Sequence, residues 1–102
     1  MDKDKNYRRL VDLKPGLKGV NCTFIVLEKG GVTVTKGDHT ITHCMVADES
    51  ARINLSLWDA QGEMLRSGDI IRLIGGYCTL YKNSLVLYSG CMHGTIERIG
   101  QY

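Results

Sequence analysis

The chain lacks most of the marks of specialised chemistry. Its four cysteines, at positions 22, 44, 78 and 91, include no CxxC pair, so their spacing does not suggest a zinc site. No apolar run approaches the roughly 20 residues that a membrane-spanning helix needs. No charged-then-apolar leader is present, and an intracellular protein that does not enter a membrane is expected. There is no GxSxG, no glycine loop cradling phosphate ahead of a helix, and no HExxH. His39 and His43 stand near no carboxylate pair in the sequence. These absences argue against an enzyme, and no cofactor is called for. Formal net charge is only +2, too weak to single out nucleic acid as the partner.

What is present is ordinary globular material: 102 residues, 43% hydrophobic and 24% charged, with one proline. That length suits one domain with one core. Residues 1–10 read as a flexible N-terminal segment, where the cluster Lys3, Lys5, Arg8 and Arg9 is a solvated end. Residues 11–102 read as the folded domain. "DLKPGLKG" marks a turn. A long strand from about Asn21 to Thr35 follows, interrupted by Gly30-Gly31, which suggests a bulge. Its Phe24 and Val26 share one face, Ile25 and Leu27 the other, so both faces are expected to be covered. A second strand spans about Thr40 to Ala47, and "DES" turns the chain into a third.

After the third strand, "DAQGEMLRSGD" reads as a short helix or irregular connection, with Met64 and Leu65 as apolar anchors. "IIRLIGGYCTLYKNSLVLYSG" reads as two further strands about a Lys82-Asn83 turn, with a second bulge at Gly75-Gly76. "TIERIGQY" suggests one helical turn. The fold class is therefore all-β, a five-stranded barrel with a short connection between strands three and four; a small open sandwich is the competing fold. Cys22 and Cys44 fall inside apolar strand patterns and read as buried thiols. Cys91, in "SGCMHG" with His93, reads as a reactive thiol sooner than a metal ligand. Asp48, Glu49, Asp59 and Asp69 read as turn and cap residues.

One residue breaks the pattern. In "RINLSLW", Ile53, Leu55 and Leu57 alternate with Arg52, Asn54 and Ser56, and Trp58 falls on the polar side. Tyr77, Thr79 and Tyr81 share a face of the fourth strand, while Val86 and Tyr88 share one of the fifth. Each has an ordinary explanation: a tyrosine buries its ring and wets its hydroxyl, and a tryptophan covers the end of a barrel. Together, interleaved with Arg52, Asn54, Ser56, Arg72 and Lys82, these aromatics suit an unpaired nucleic-acid strand. Bases stack on rings, at about 1–3 kcal/mol each, and cations track phosphates. A protein-docking patch also exposes aromatics, and nothing in the residues separates DNA from RNA.

At "VADESARINLSLWD", together with "DLKPGLK", "FIVLE", "CMVAD", "SGDIIRL", "GYCTLYK" and "LVLYSG", the chain resembles the human-type single-stranded DNA-binding proteins. These are the DNA-binding subunits of the sensor of single-stranded DNA (SOSS) complex, and the resemblance runs from about Val11 to Gln101. It implies an OB-fold binding single-stranded DNA, with stacking residues at Trp58, Tyr77, Tyr81 and Tyr88. It also implies a nuclear protein of DNA-damage signalling and homologous recombination. Its partners would be a helical scaffold, integrator complex subunit 3, and a small third subunit. The scaffold-docking acidic-aromatic pair of the family reads Gln101-Tyr102 here. Other departures are Tyr81 where phenylalanine is common, Ala51 where a turn glycine is usual, Met45 where a basic residue is common, and "CMHG" in the glycine-rich loop.

Overall fold

The computed structural model describes residues 7–89 and 95–102. A 3-10 turn at Leu10–Asp12 precedes β1 (Val20–Val34), β2 (Thr40–Ala47), β3 (Arg52–Trp58), α1 (Asp59–Met64), β4 (Asp69–Tyr81), β5 (Ser84–Tyr88) and β6 (Thr95–Gln101). The strand order is β1-β2-β3-β5-β4-β6, and β1 also pairs with β4. β1 through β5 thus form a closed ring, which excludes the open sandwich. All pairings among the named strands are antiparallel except β3 with β5.

Alternation builds the core. Val20, Cys22, Phe24 and Val26 of β1, Ile53, Leu55 and Leu57 of β3, and Ile71 and Leu73 of β4 are all buried. The opposite face of β1 is not covered as expected. Ile25 is half-buried and Leu27 is 44% exposed. A ring has a single inside, so the outward face of β1 stays partly exposed. Both glycine pairs coincide with register breaks. β1 slips against β2 between Lys29 and Val32, and β4 carries an extra residue against β1 between Leu73 and Gly76.

The second break turns the strand over. Asp69, Ile71 and Leu73 point inward before it, Gly76 and Cys78 after it, so the inward positions change from odd to even. Gly75 has φ of 76°, and its amide donates to the side-chain carbonyl of Asn21 at 2.9 Å. At Gly76 a Cβ would lie 2.7 Å from Leu73 Cδ2 and 2.8 Å from the Tyr88 carbonyl oxygen, so only glycine fits.

Several expectations are corrected. The segment Thr95–Gln101 is a strand, not a helical turn, and pairs with Asp69–Ile74 of β4. Ile96 and Ile99 have helical spacing, but the open edge of β4 offers a ladder of backbone partners, and tertiary pairing overrides the local pattern. Met64 is 68% exposed and anchors nothing, whereas Leu65 is 1% exposed. Leu10, assigned to the loose end, is 3% exposed in the core. Its amide donates to Asp48 Oδ2 at 2.8 Å, and Asp48 Oδ1 accepts from the Ser50 amide at 2.7 Å, so one carboxylate ties the N-terminal turn to the β2–β3 turn.

Cys22, Cys44 and Cys78 are buried and free. Burial, then the neighbouring Cys78 and Asp48, pushes the Cys22 thiol up to about 12. Cys44 and Cys78 are also raised, chiefly by burial. Thiols held in this form are packing groups, not nucleophiles. Cys91 and His93 lie outside the described residues.

Candidate nucleic-acid interface

The strand registers lay out the outer face of the ring as rows. Trp58 lies opposite Ile41. The next row runs His43, Ser56, Tyr88 and Tyr77 across β2, β3, β5 and β4. The row after it runs Met45, Asn54, Val86 and Thr79. Last, Arg52 lies opposite Ala47 on β2, and Ser84 lies opposite Tyr81 on β4. A groove of about 500 Å³ lies on this grid, its walls including Thr33 and His43 on one side and Tyr81 and Lys82 on the other. Asn54, Ser56, Val86 and Tyr88 also line it. The tight Lys82-Asn83 turn raises the second wall, with both residues in the left-handed region at φ of 52° and 67°.

The stacking candidates are not four independent platforms. Tyr77 and Tyr88 face each other across the β4–β5 ladder, with centroids 5.1 Å apart and ring planes 7° from parallel. Together they form one preassembled double ring. Tyr81 is 58% exposed, and Lys82 Nζ lies 5.4 Å from its ring centroid. Such a pair offers a π-face and a cation side by side. The polar candidates separate. Asn54 and Ser56 line the groove with Lys82, whereas Arg52 lies in an adjoining cleft. Arg72 is elsewhere: its guanidinium is 3.1 Å from Glu97 on β6, in an ion pair on the β4–β6 side.

Trp58 sits on the outer face, but its ring is half-buried, and its indole N–H is buried without a hydrogen-bond partner. A neighbour holds it instead. The His39 ring meets it edge to face, 5.8 Å between centroids and 77° between planes. The sequence places no carboxylate pair near either histidine; the fold brings up Asp59, whose Oδ2 accepts from His39 Nδ1 at 2.9 Å. Asp59 Oδ1 also accepts from the Thr40 amide at 2.8 Å. The amide bond first, and His39 second, hold the Asp59 carboxyl below the usual aspartate value. Ionised, it can only accept, so Nδ1 carries the hydrogen of that bond. Asp59 adopts φ of 47°, a left-handed conformation sustained by the bonds it makes.

Sequence reasoning also missed His43 and Thr33. His43 Nε2 lies 2.9 Å from Thr33 Oγ1 and its Nδ1 3.4 Å from Ser56 Oγ, linking three strands across the groove. The available signal was the alternation of Ile41, His43 and Met45 on β2, opposite the β3 residues already singled out. Gln101 ends β6, Tyr102 follows it, and neither lines the groove: Gln101 pairs with Asp69, and Tyr102 is 95% exposed with its amide donating to the Gly68 carbonyl.

Known proteins share this architecture. The family model described as single-stranded DNA binding protein Ssb-like, OB fold, matches residues 13–98. The single-stranded DNA binding protein Ssb of Saccharolobus solfataricus is 29% identical over 82 residues, covering 78% of this chain and 55% of the relative. The chain thus spans about half the length of that curated relative. Among solved structures, the OB domain of a Thermoplasma acidophilum protein superposes with a TM-score of 0.78 at 17% identity, covering 94% of this chain and 89% of the other. A domain of replication protein A from Methanococcus maripaludis gives 0.77 at 17% identity, covering 93% and 97%. At such identities the structures establish the fold, while the family match spans most of the sequence: the chain belongs to the Ssb-like family of OB-fold single-stranded DNA-binding proteins.

Proposed function

We propose that this domain binds single-stranded DNA with little regard to sequence, by stacking bases on Trp58, on the Tyr77–Tyr88 double ring and on Tyr81. Asn54 and Ser56 supply polar contacts and Lys82 a phosphate contact. The observation that carries this reading is the groove itself: aromatic faces, a cation and hydrogen-bonding side chains gathered on one outer face of a ring whose family binds unpaired DNA. Stacking tolerates any base because every base has a π-face.

Oligothymidine titration, followed by the fluorescence of the lone tryptophan, tests it. Quenching on binding is expected in the parent, and the anisotropy of a labelled oligothymidine should show a loss of about 1–3 kcal/mol in Trp58→Ala and in Tyr77→Ala with the fold retained. If both variants bound like the parent, the stacking surface would be misassigned. The same titration with matched RNA reads the DNA-over-RNA preference. If the folded parent bound no oligonucleotide at low salt, the aromatic face would pass to a protein partner.

A finer assignment rests on the resemblance to the DNA-binding subunits of the SOSS complex alone. It makes the protein a nuclear subunit of a DNA-damage sensing and repair complex. Integrator complex subunit 3 and a small third subunit would be its partners, with the scaffold docking at Gln101-Tyr102. Co-purification of the scaffold with the parent but not with Tyr102→Ala would support it, and equal capture of both would move the docking site elsewhere.

A further inference from the structure

The groove does not end at its own wall. A second cleft of about 600 Å³ opens beside it, lined by Val11, Met45, Arg52 and Leu85 among others, and it shares Asn54 and Ser84 with the groove. We infer that this cleft is a second subsite on the same bound strand, taking a base against Val11, Met45 and Leu85 and the adjoining phosphate on Arg52. The inference rests on the reading of the groove as a single-stranded DNA site.

Three observations support it. The first is adjacency: Asn54 and Ser84 line both depressions, so a chain leaving the groove at these residues meets the cleft directly. The second is chemistry. Val11 is 54% exposed, and Met45 and Leu85 are half-buried, so the cleft offers an aliphatic shelf. Arg52 is exposed at this shelf and has no acidic partner among the described residues, unlike Arg72, which Glu97 neutralises. An apolar surface with an uncompensated cation suits a base and its phosphate. The third is reach. Arg52 and Trp58 lie on the same face of β3, six residues apart and so about 20 Å at roughly 3.3 Å per residue. A strand engaging both must be longer than one stacked on Trp58 alone.

The occupant is therefore the continuation of the DNA strand, and length is the variable that tests it. Oligothymidines of about 4 to about 16 nucleotides are titrated against the parent, Val11→Asp and Met45→Glu. Trp58 quenching reports stacking at the tryptophan, on the same outer face as the groove, and anisotropy of labelled oligonucleotide reports total affinity. The short oligonucleotides are expected to quench Trp58 equally in all three proteins. With the long ones, each variant should bind roughly fivefold more weakly than the parent. Arg52→Gln should lower the salt slope by about 0.7, as loss of one single-strand phosphate contact requires, for long oligonucleotides only.

Variants matching the parent at every length would overturn the inference and leave the groove reading intact. So would a loss of the same factor at every length, which would assign these side chains to the groove or the fold; circular dichroism of each variant separates those two causes. A parent whose tryptophan no oligonucleotide quenches, and which binds none, would overturn both readings at once. Val11 lies on the exposed 3-10 turn, so Val11→Asp remains informative if Met45→Glu fails to fold.

Discussion

The two halves of β4, paired with β6 and with β5, treat charge in opposite ways. On the β6 side, Arg72 pairs with Glu97, and Arg98 lies 3.6 Å from the buried Asp69 carboxylate. On the β5 side, Lys82 leans over Tyr81, and neither Lys82 nor Arg52 has an acidic partner among the described residues. Both sides present arginine or lysine beside a strand, and only one leaves it uncompensated. A cation already matched to a carboxylate has little left to offer a phosphate. The contrast explains how a chain with a net charge of +2 can still carry a local anion-binding surface.

The largest disturbance of this contrast comes from the joint between the two sides. Gly76→Ala forces a Cβ against Leu73 and the Tyr88 carbonyl, so it should cost about 1–3 kcal/mol in urea unfolding. It should also weaken DNA binding by displacing the double ring. Next in size, Lys82→Glu should reduce oligothymidine affinity about tenfold at low salt and flatten the salt dependence by about 0.7 per lost contact. Isothermal titration at two ionic strengths reads both.

A smaller effect is expected from His39→Ala, which removes the ring beside Trp58. The emission of the free protein should shift, and binding should weaken a few-fold, about 1 kcal/mol. His39→Phe should restore more of the emission than His39→Gln if the ring, and not the bond to Asp59, orients the indole. The acid limb of stability separates the faces from the end of the ring. At Asp48, burial alone would raise the carboxyl, but bonds from Ser50, Leu10 and Ala51 outweigh it and the net direction is down. A folded-state value below the unfolded one stabilises above about pH 4 and is lost as pH falls through the depressed value. Asp48→Asn should flatten that limb in acid-unfolding curves without changing DNA affinity. The smallest effect belongs to Arg72→Gln: a change within about 0.5 kcal/mol in stability, as for an exposed ion pair, and none in DNA binding. A clear loss of affinity there would erase the distinction between the sides.

Much of this was legible in the sequence because it is local. Period-two alternation gives β2 and β3 their residues, and the glycine pairs give two of the register breaks. Trp58 stands out because it violates the alternation around it. What was not legible depends on pairing between distant segments. Arg72 looked like its neighbours because Glu97 lies 25 residues away on a strand that reads as a helical turn. His39 finds Asp59 across 20 residues, and the Tyr77–Tyr88 double ring exists only once the register of β4 on β5 is known. The aromatic inventory was readable; the way the rings combine was not.

The register break at Gly75-Gly76 makes β4 a strand with two reading frames. Before it, odd positions face the core; after it, odd positions carry Tyr77, Thr79 and Tyr81 on the outer face. The interior and the binding surface are thereby specified by separate stretches of one strand and can vary independently. The frame itself is fragile. Deleting a single residue at the break would swap Tyr77 and Tyr81 for Cys78 and Leu80 on the surface, turning a stacking face into an aliphatic one without altering any side chain.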